Sequence, residues 1–95
     1  MTYLKKLDII PSKQFEKDMK LAKKRGLKFD LLEEVIEMLA LQKTLPINKH
    51  DHALSGKYKG FRECHVQPDL LLIYKIDKNE LYLFLFRTGT HSDLF

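Results

Sequence analysis

The chain has 95 residues, 44% of them hydrophobic, and a formal net charge of +4. This length accommodates one hydrophobic core, which excludes a catalytic domain joined to a separate regulatory domain, so we expect a single domain over residues 1–95. The single cysteine, Cys64, excludes an internal disulfide, and the lack of a long apolar run argues against a membrane span, which together favour a reduced, cytoplasmic protein.

The first part of the chain predicts an edge strand followed by a helix. Residues 4–10 alternate imperfectly between apolar and polar side chains, which favours a strand whose lysines protect a sheet edge, and Pro11 ends it. Ser12 is a suitable N-cap for a helix over residues 13–25, and Gly26 supplies a left-handed stop.

Charge is unevenly distributed over the N-terminal half. Residues 1–28 contain nine Lys or Arg and three acidic residues, whereas residues 29–42 contain four acidic residues and no basic one. A basic field of this kind attracts polyanions such as RNA, and it equally attracts an acidic protein partner. A simpler interpretation is that the lysines form only a solvated helix face.

A second helix completes a helical hairpin. Asp30 and Glu33 have the spacing of a capping box, and apolar residues then recur at helical spacing to about Lys43. The opposite face of this helix is acidic, so we expect it to be amphipathic and to contribute packing alone.

Residues 44–59 predict a long irregular loop, because periodicity is lost there while Pro, Asn, Gly and Ser accumulate. Loops of this length in small domains are usually functional or disordered. The basic residues Lys49, Lys57 and Lys59 suit a surface that contacts phosphates, and we assign them to substrate binding.

The remainder predicts three strands in a meander, over residues 61–66, 70–76 and 81–88, with a polar hairpin turn at residues 77–80. The apolar runs in the last two strands lack alternation, so both faces of the sheet should be covered at its centre, one of them by the helices. Regular alternation places Arg87 on the same side as the three leucines of the last strand. The predicted fold class is α+β: a two-helix hairpin packed on a mostly antiparallel sheet of about four strands.

Polar side chains capable of chemistry stand where these apolar strands end. His65, Asp69, Arg87 and His91 all occupy such positions. Scaffolds commonly carry chemistry at strand ends, whereas the same groups inside a sheet would have to be satisfied or exposed. The pattern therefore predicts one shared polar site.

Four motifs in one order carry a resemblance to a known family. They are residues 51–56 (DHALSG), 58–65 (YKGFRECH), 68–69 (PD) ahead of an apolar strand, and 87–95 (RTGTHSDLF). Together they resemble the YafQ branch of the RelE/ParE superfamily of bacterial toxins, whose arrangement is also a helical hairpin followed by a meander. Ala53 stands where members often have Pro, and Leu70 stands where some have Trp.

The resemblance implies an mRNA interferase that enters the ribosomal A site, cuts the codon there and is held inactive by a cognate antitoxin. The positions that match the family's active-site set are His52, His65, Asp69, Arg87 and His91. Phe95 matches an aromatic residue near the scissile nucleotide, and Arg62 joins it and the three loop lysines as a candidate for substrate binding. No metal or other cofactor is expected.

RNA cleavage without a metal needs a base for the 2′-hydroxyl, a cation for the phosphate and an acid for the leaving 5′-oxygen. We assign His91 as the general acid and Arg87 as the phosphate clamp. Asp69 or His65 serves as the base or as an orienting group, and His52 contacts the substrate or a neighbouring phosphate.

Two other functions fit parts of the sequence. A metal hydrolase would use imidazole and carboxylate ligands, which are available at His50, His52, His65, Asp69 and His91, although their spacing fits no standard motif. A ParE-like toxin that inhibits a protein target without catalysis would have no use for so many histidines.

Some of these residues also have purely structural interpretations. Arg87 could form an ion pair with Asp69 or with Glu63. Cys64 is most simply a small core side chain, and His50, which matches no family position, is expected to face solvent.

Overall fold

The structure is a computed structural model that describes residues 5–27 and 29–95. Its helices and strands follow in chain order as β1 (Asp8–Pro11), α1 (Lys13–Lys24), α2 (Phe29–Ala40), β2 (His52–Ala53), β3 (Arg62–Gln67), β4 (Leu70–Asp77), β5 (Tyr82–Gly89) and α3 (His91–Leu94). Single 3-10 turns at Ile47–Lys49 and Gly56–Tyr58 flank β2. Within the described ranges, no helix is long and apolar enough to cross a membrane.

Local sequence signals explain where α1 begins and ends. The Ser12 hydroxyl accepts a 2.9 Å hydrogen bond from the Phe15 N–H, and Gly26 adopts a left-handed φ of 70° just after the helix. The predicted helix over residues 13–25 is confirmed to within one residue, since α1 ends at Lys24.

The neighbouring predictions need small corrections. The predicted first strand began at residue 4, which lies outside the described residues, whereas β1 begins at Asp8 and includes Pro11. α2 begins at Phe29, so Asp30 lies in its first turn and not at the N-cap. The helix also ends before Lys43, because Gln42 adopts a left-handed φ of 58° that interrupts the helical repeat.

The sheet has five strands in the order β1-β5-β4-β3-β2. β1 pairs with β5 in parallel, and the other pairs are antiparallel. The α+β class is therefore confirmed, with one strand more than the four predicted. The additional strand is β2, where His52 pairs with Glu63 inside the segment predicted to be irregular. A two-residue strand has no periodicity by which a sequence could reveal it.

Apolar side chains cover both faces of the central strand β4. Leu72 and Tyr74 belong to the larger cluster, in which α1 and α2 pack on the sheet. Leu71 and Ile73 belong to a smaller cluster around Tyr58, on the face that we call the site face. The prediction that both faces are covered is confirmed, because all four β4 side chains are at most 1% exposed.

A β-bulge in β5 determines where Arg87 lies. The pairing passes from Tyr74↔Leu85 to Ile73↔Arg87 and skips Phe86. Directly paired residues share a face, so Arg87 lies with Ile73 on the site face, opposite to Leu85. The prediction that Arg87 shares the side of the leucines is wrong, because it assumed unbroken alternation.

A second bulge follows His65 in β3. Here the pairing passes from His65↔Leu71 to Gln67↔Leu70 and skips Val66. His65 therefore lies with Leu71 on the site face. Bulges of this kind re-aim side chains and are over-represented beside active sites.

Candidate active site

Four of the five predicted catalytic residues converge at one end of the site face. His52 lies in β2, His65 in β3, Asp69 in the turn between β3 and β4, and His91 at the first position of α3. The strand ends thus bring together groups that are far apart in the sequence. Together with Glu63, they form two carboxylate–histidine units, which lie next to one groove.

The first unit is the contact between Asp69 and His91. One carboxylate oxygen of Asp69 lies 2.8 Å from Nδ1 of His91 and also accepts the backbone N–H of His91 at 3.0 Å. The hydrogen bond from the His91 backbone and, second in importance, the one from its ring lower the pKa of the Asp69 carboxyl. An ionised carboxylate can only accept, so the contact assigns a proton to Nδ1 of His91 and leaves Nε2 to act on another molecule.

The short helix α3 fixes the backbone that carries His91. Thr90 and Asp93 form a capping box, in which the Asp93 carboxylate accepts the Thr90 N–H at 3.0 Å and the Thr90 hydroxyl accepts the Asp93 N–H at 3.2 Å. Arg25 at the end of α1 contacts the same carboxylate at 2.6 Å, and these bonds lower the pKa of Asp93 to about 2. A Cβ at Gly89 would lie 2.9 Å from this carboxylate, so the close approach requires glycine there.

The second unit is centred on Glu63, which the sequence analysis did not place in the site. Its side chain is only 7% exposed, and one oxygen lies 3.5 Å from Nε2 of His65 and 3.7 Å from Nε2 of His52. One signal was available, because residues 63 and 65 point to the same face of a strand. The contact with His52 depends on β2, which the sequence did not reveal.

Histidine rings line a groove next to these units. The His65 ring centroid lies 5.5 Å from that of His91 and 5.3 Å from that of His50. His50 is exposed, as expected, but its carbonyl also lies 2.6 Å from Nδ1 of His52, so it belongs to the cluster. The groove encloses about 660 Å³ and is lined by Asn48, Lys49, His50, His52, His65, Val66, Gln67 and Pro68. We refer to it as the histidine groove.

The predicted substrate-binding residues are divided between different surfaces. Lys49 lines the histidine groove and donates a 3.0 Å hydrogen bond to the carbonyl of Val66. Lys57 lies over the Tyr58 ring, with its ammonium 5.4 Å from the centroid. Lys59 is exposed outside the lining of the groove.

Two further candidates, Arg62 and Phe95, are not among the residues that line the groove. Arg62 pairs with Tyr74 across the sheet, contacts Asp51 at 3.3 Å and lines a different cavity. Its pKa is raised, since the bonds to Tyr74 and Asp51 outweigh the opposing effect of burial. Phe95 is 63% exposed and packs edge-on against Tyr58 with ring centroids 5.5 Å apart, so its outer face is open to a ligand.

Arg87 is the predicted catalytic residue that stands outside the histidine cluster. It makes neither of the ion pairs expected for it, with Asp69 or with Glu63. Its guanidinium instead binds Asp18 of α1 through Nε at 2.8 Å and Nη2 at 3.1 Å. This side-chain hydrogen bond raises the pKa of Arg87, which is therefore a permanent cation on the site face.

Cys64 is fully buried in the larger cluster, and burial raises the pKa of its thiol to about 12, in agreement with a packing role. Among the residues that the structure describes, no group of three or more His, Cys, Asp or Glu side chains is arranged to hold a metal ion.

The fold and the histidine groove together define a small α+β protein whose clustered histidines and carboxylates suit acid–base chemistry. The family described as the bacterial toxin of type II toxin–antitoxin systems, YafQ, matches residues 7–95. The chain belongs to this family.

Individual relatives agree with that assignment. The chain is 43% identical over 90 residues to the mRNA interferase toxin YafQ of Escherichia coli K12, covering 93% of this chain and 95% of the relative. A metal-bound toxin from Helicobacter pylori superposes with a TM-score of 0.87 at 49% identity, over 94% of this chain and 99% of that one. YafQ in the E. coli DinJ–YafQ toxin–antitoxin complex gives a TM-score of 0.85 at 42% identity, over 95% of this chain and 98% of that one.

Proposed function

We propose that this toxin is an mRNA interferase that cuts mRNA in the ribosomal A site and is inhibited by a cognate antitoxin. The observation that carries the proposal is the contact between Asp69 and the exposed His91. The carboxylate binds the Nδ1–H of the ring, so Nε2 is the nitrogen available to a substrate. The name of the E. coli relative, an mRNA interferase, supports the reaction class. The cytoplasm, where mRNA and ribosomes are found, is the proposed location.

The reaction begins with proton removal from the 2′-hydroxyl of the nucleotide before the scissile bond. We assign His65 as the group that accepts that proton, and Glu63, 3.5 Å from its ring, as the carboxylate that stabilises the resulting imidazolium. The 2′-oxygen then forms a bond to phosphorus, and negative charge grows on the phosphate oxygens. Arg87 is proposed to stabilise that charge.

The reaction ends with departure of the 5′-oxygen as its bond to phosphorus breaks. His91 starts this step as an imidazolium, donates its Nε2 proton to the 5′-oxygen and becomes neutral, while its Nδ1–H stays bonded to Asp69, so the ring stays oriented throughout the step. The products are a 2′,3′-cyclic phosphate and a 5′-hydroxyl. This assignment makes Asp69 the orienting group and His65 the base, between which the sequence alone did not decide.

The surrounding residues supply binding. His52 and Lys49 line the histidine groove and suit the phosphates that flank the scissile one, with Lys57 and Lys59 extending the basic surface. The open face of Phe95 suits stacking on a nucleobase.

The cognate antitoxin is the proposed regulator. The DinJ–YafQ complexes show such a partner for the E. coli relative. For this chain, a basic α1 and a basic loop favour an acidic antitoxin segment that covers them and orders as it binds.

The deciding experiment incubates purified toxin with programmed ribosomes and a 5′-labelled transcript. We expect cleavage within the A-site codon, cyclic phosphate ends, and full activity in the presence of a chelator. A transcript with 2′-deoxyribose at the scissile nucleotide should resist cleavage, because it lacks the attacking oxygen. If wild-type toxin leaves the unmodified transcript intact while still arresting growth, it is a non-catalytic inhibitor instead.

A further inference from the structure

Asp18 is a buried carboxylate on helix α1, in which basic residues outnumber acidic ones. Its residue is 7% exposed, and its two oxygens accept hydrogen bonds from Arg87 Nε at 2.8 Å, Arg87 Nη2 at 3.1 Å, the Thr88 N–H at 3.1 Å and the Gln14 amide at 3.2 Å. Burial of an ionised carboxylate is costly unless it is paired and fully bonded, as it is here. Two of the four bonds converge on one side chain, that of Arg87.

The geometry of this ion pair restricts the guanidinium. Asp18 occupies the side-on edge of Arg87, formed by Nε and Nη2. A planar guanidinium has a second edge, formed by Nη1 and Nη2, that can grip two oxygens of a phosphate at once. Since the carboxylate holds the first edge, the direction of the second edge is fixed, and the Arg87 side chain as a whole is 23% exposed.

The backbone of β5 is held by the same contact. Oδ2 of Asp18 accepts hydrogen bonds from Nε of Arg87 and from the N–H of Thr88. The Arg87 side chain and the strand that carries it are therefore held by the same oxygen. This contact lies at the strand end that leads directly to His91. Any rotation of the guanidinium would have to break two charge-assisted bonds to a buried acceptor.

We propose that Asp18 is a positioning residue, which holds the free edge of the Arg87 guanidinium toward the scissile phosphate. This inference rests on the proposed function, because it concerns the phosphate clamp of that reaction. In this role Asp18 acts on cleavage through the orientation of Arg87 and makes no contact with the substrate itself.

A double-mutant cycle on cleavage tests this role. Asp18→Asn keeps the shape of the side chain and one acceptor oxygen but releases part of the grip on Arg87. We expect it to lower kcat about 10- to 100-fold with KM nearly unchanged, as small misplacements of a catalytic group do. In an Arg87→Ala background the same change should have no further effect, because the group it positions is absent. Arg87→Lys should also be insensitive to Asp18→Asn, since a point charge has no edge to orient.

Arg25→Gln is the matched control. It removes the other ion pair between α1 and the C-terminal segment, the contact of Arg25 with Asp93, without touching Arg87. Any effect of Arg25→Gln on cleavage should therefore persist fully in the Arg87→Ala background. This separates a specific role of Asp18 from a general loosening of α1.

The wild-type protein provides a test that needs no variant to fold. In an NMR exchange experiment the Nε–H of Arg87 should exchange slowly with water, and rapid exchange would overturn the proposed anchoring. In the cycle, equal losses from Asp18→Asn in both backgrounds with an active wild type overturn this inference alone. A wild type that cuts no transcript overturns the proposed function itself.

Discussion

Asp69 and Glu63 both contact histidines in the site, but they do so in opposite surroundings. The Asp69 side chain is 67% exposed and binds the ring and the backbone N–H of a single residue, His91. Glu63 is 7% exposed and lies near two rings without aligning either as closely. A carboxylate in water is well solvated, so Asp69 acts mainly through hydrogen-bond geometry, whereas the charge of a buried Glu63 acts through a less screened field.

This comparison assigns a distinct task to each half of the site. In the proposed mechanism the exposed half aligns the proton donor His91, and the buried half stabilises positive charge on the proton acceptor His65. Pairs of titratable groups with different environments are the usual basis for dividing acid and base roles. Four substitutions test the division, in order of decreasing effect.

His91→Ala should have the largest effect, because it removes the proposed general acid. We expect single-turnover cleavage to slow by a factor on the order of 10² to 10⁴, with RNA binding largely kept. Rates and binding are measured separately, by quenched time courses and by a filter-binding assay. Equal loss of binding and rate would mean that His91 holds the substrate and does not donate a proton.

Glu63→Gln should slow cleavage by about 100-fold, the lower range for disabling one acid–base partner. Because the side chain is buried, the ratio of wild-type to variant rates at saturating RNA should stay constant as salt is raised. The measurement is that ratio at several ionic strengths. A ratio that falls steeply with salt would mean that the charge of Glu63 is screened by solvent ions, as that of the exposed Asp69 is.

Asp69→Asn should reduce the rate by about tenfold, since loss of one orienting bond leaves the imidazole in place but less restrained. The pKa of Asp69 is lowered in the folded state, so its contribution is present above the usual carboxyl range and disappears as pH falls through that lowered value. The melting temperatures of wild type and variant should therefore converge in acid. A gap that widens with falling pH would contradict the assigned ionisation.

Asp93→Asn should have the smallest effect on rate and a visible effect on stability. The Arg25 contact is partly exposed, so we expect a loss of about 1 kcal/mol, or a melting temperature lower by about 4–8 °C. The Asp93 pKa of about 2 means that this stabilisation is present above the ordinary carboxyl pKa and is lost as pH falls toward 2. Differential scanning calorimetry at pH 7 and near pH 2 gives the comparison, with Arg25→Gln as its partner control.

Hydrophobic periodicity was sufficient to predict most of the fold. It identified α1, α2 and the three-strand meander, because these elements bury regular apolar patterns, whereas the single-turn helix α3 was not predicted. The strand-end argument also located His65, Asp69 and His91, which the structure places in one cluster. The strength of these predictions comes from features that are local in sequence.

The failures share a different cause, since each depends on contacts between distant segments. Glu63 contacts His52 through the short strand β2, and Arg87 changes face through the bulge at Phe86. The Asp18–Arg87 ion pair connects residues 69 positions apart. Neither a two-residue strand nor an extra residue in a ladder changes composition or periodicity enough to be recognised beforehand.

The bulge at Phe86 also has a meaning for molecular evolution. Leu85 pairs with Tyr74 and Arg87 pairs with Ile73, which are consecutive in β4, so removing Phe86 would leave every pair on either side in place. Phe86 can thus be regarded as a one-residue insertion that a regular ladder tolerates. Because Phe86 also stacks on Phe61 and bulges are kept within protein families, we expect relatives of this chain to retain the extra residue.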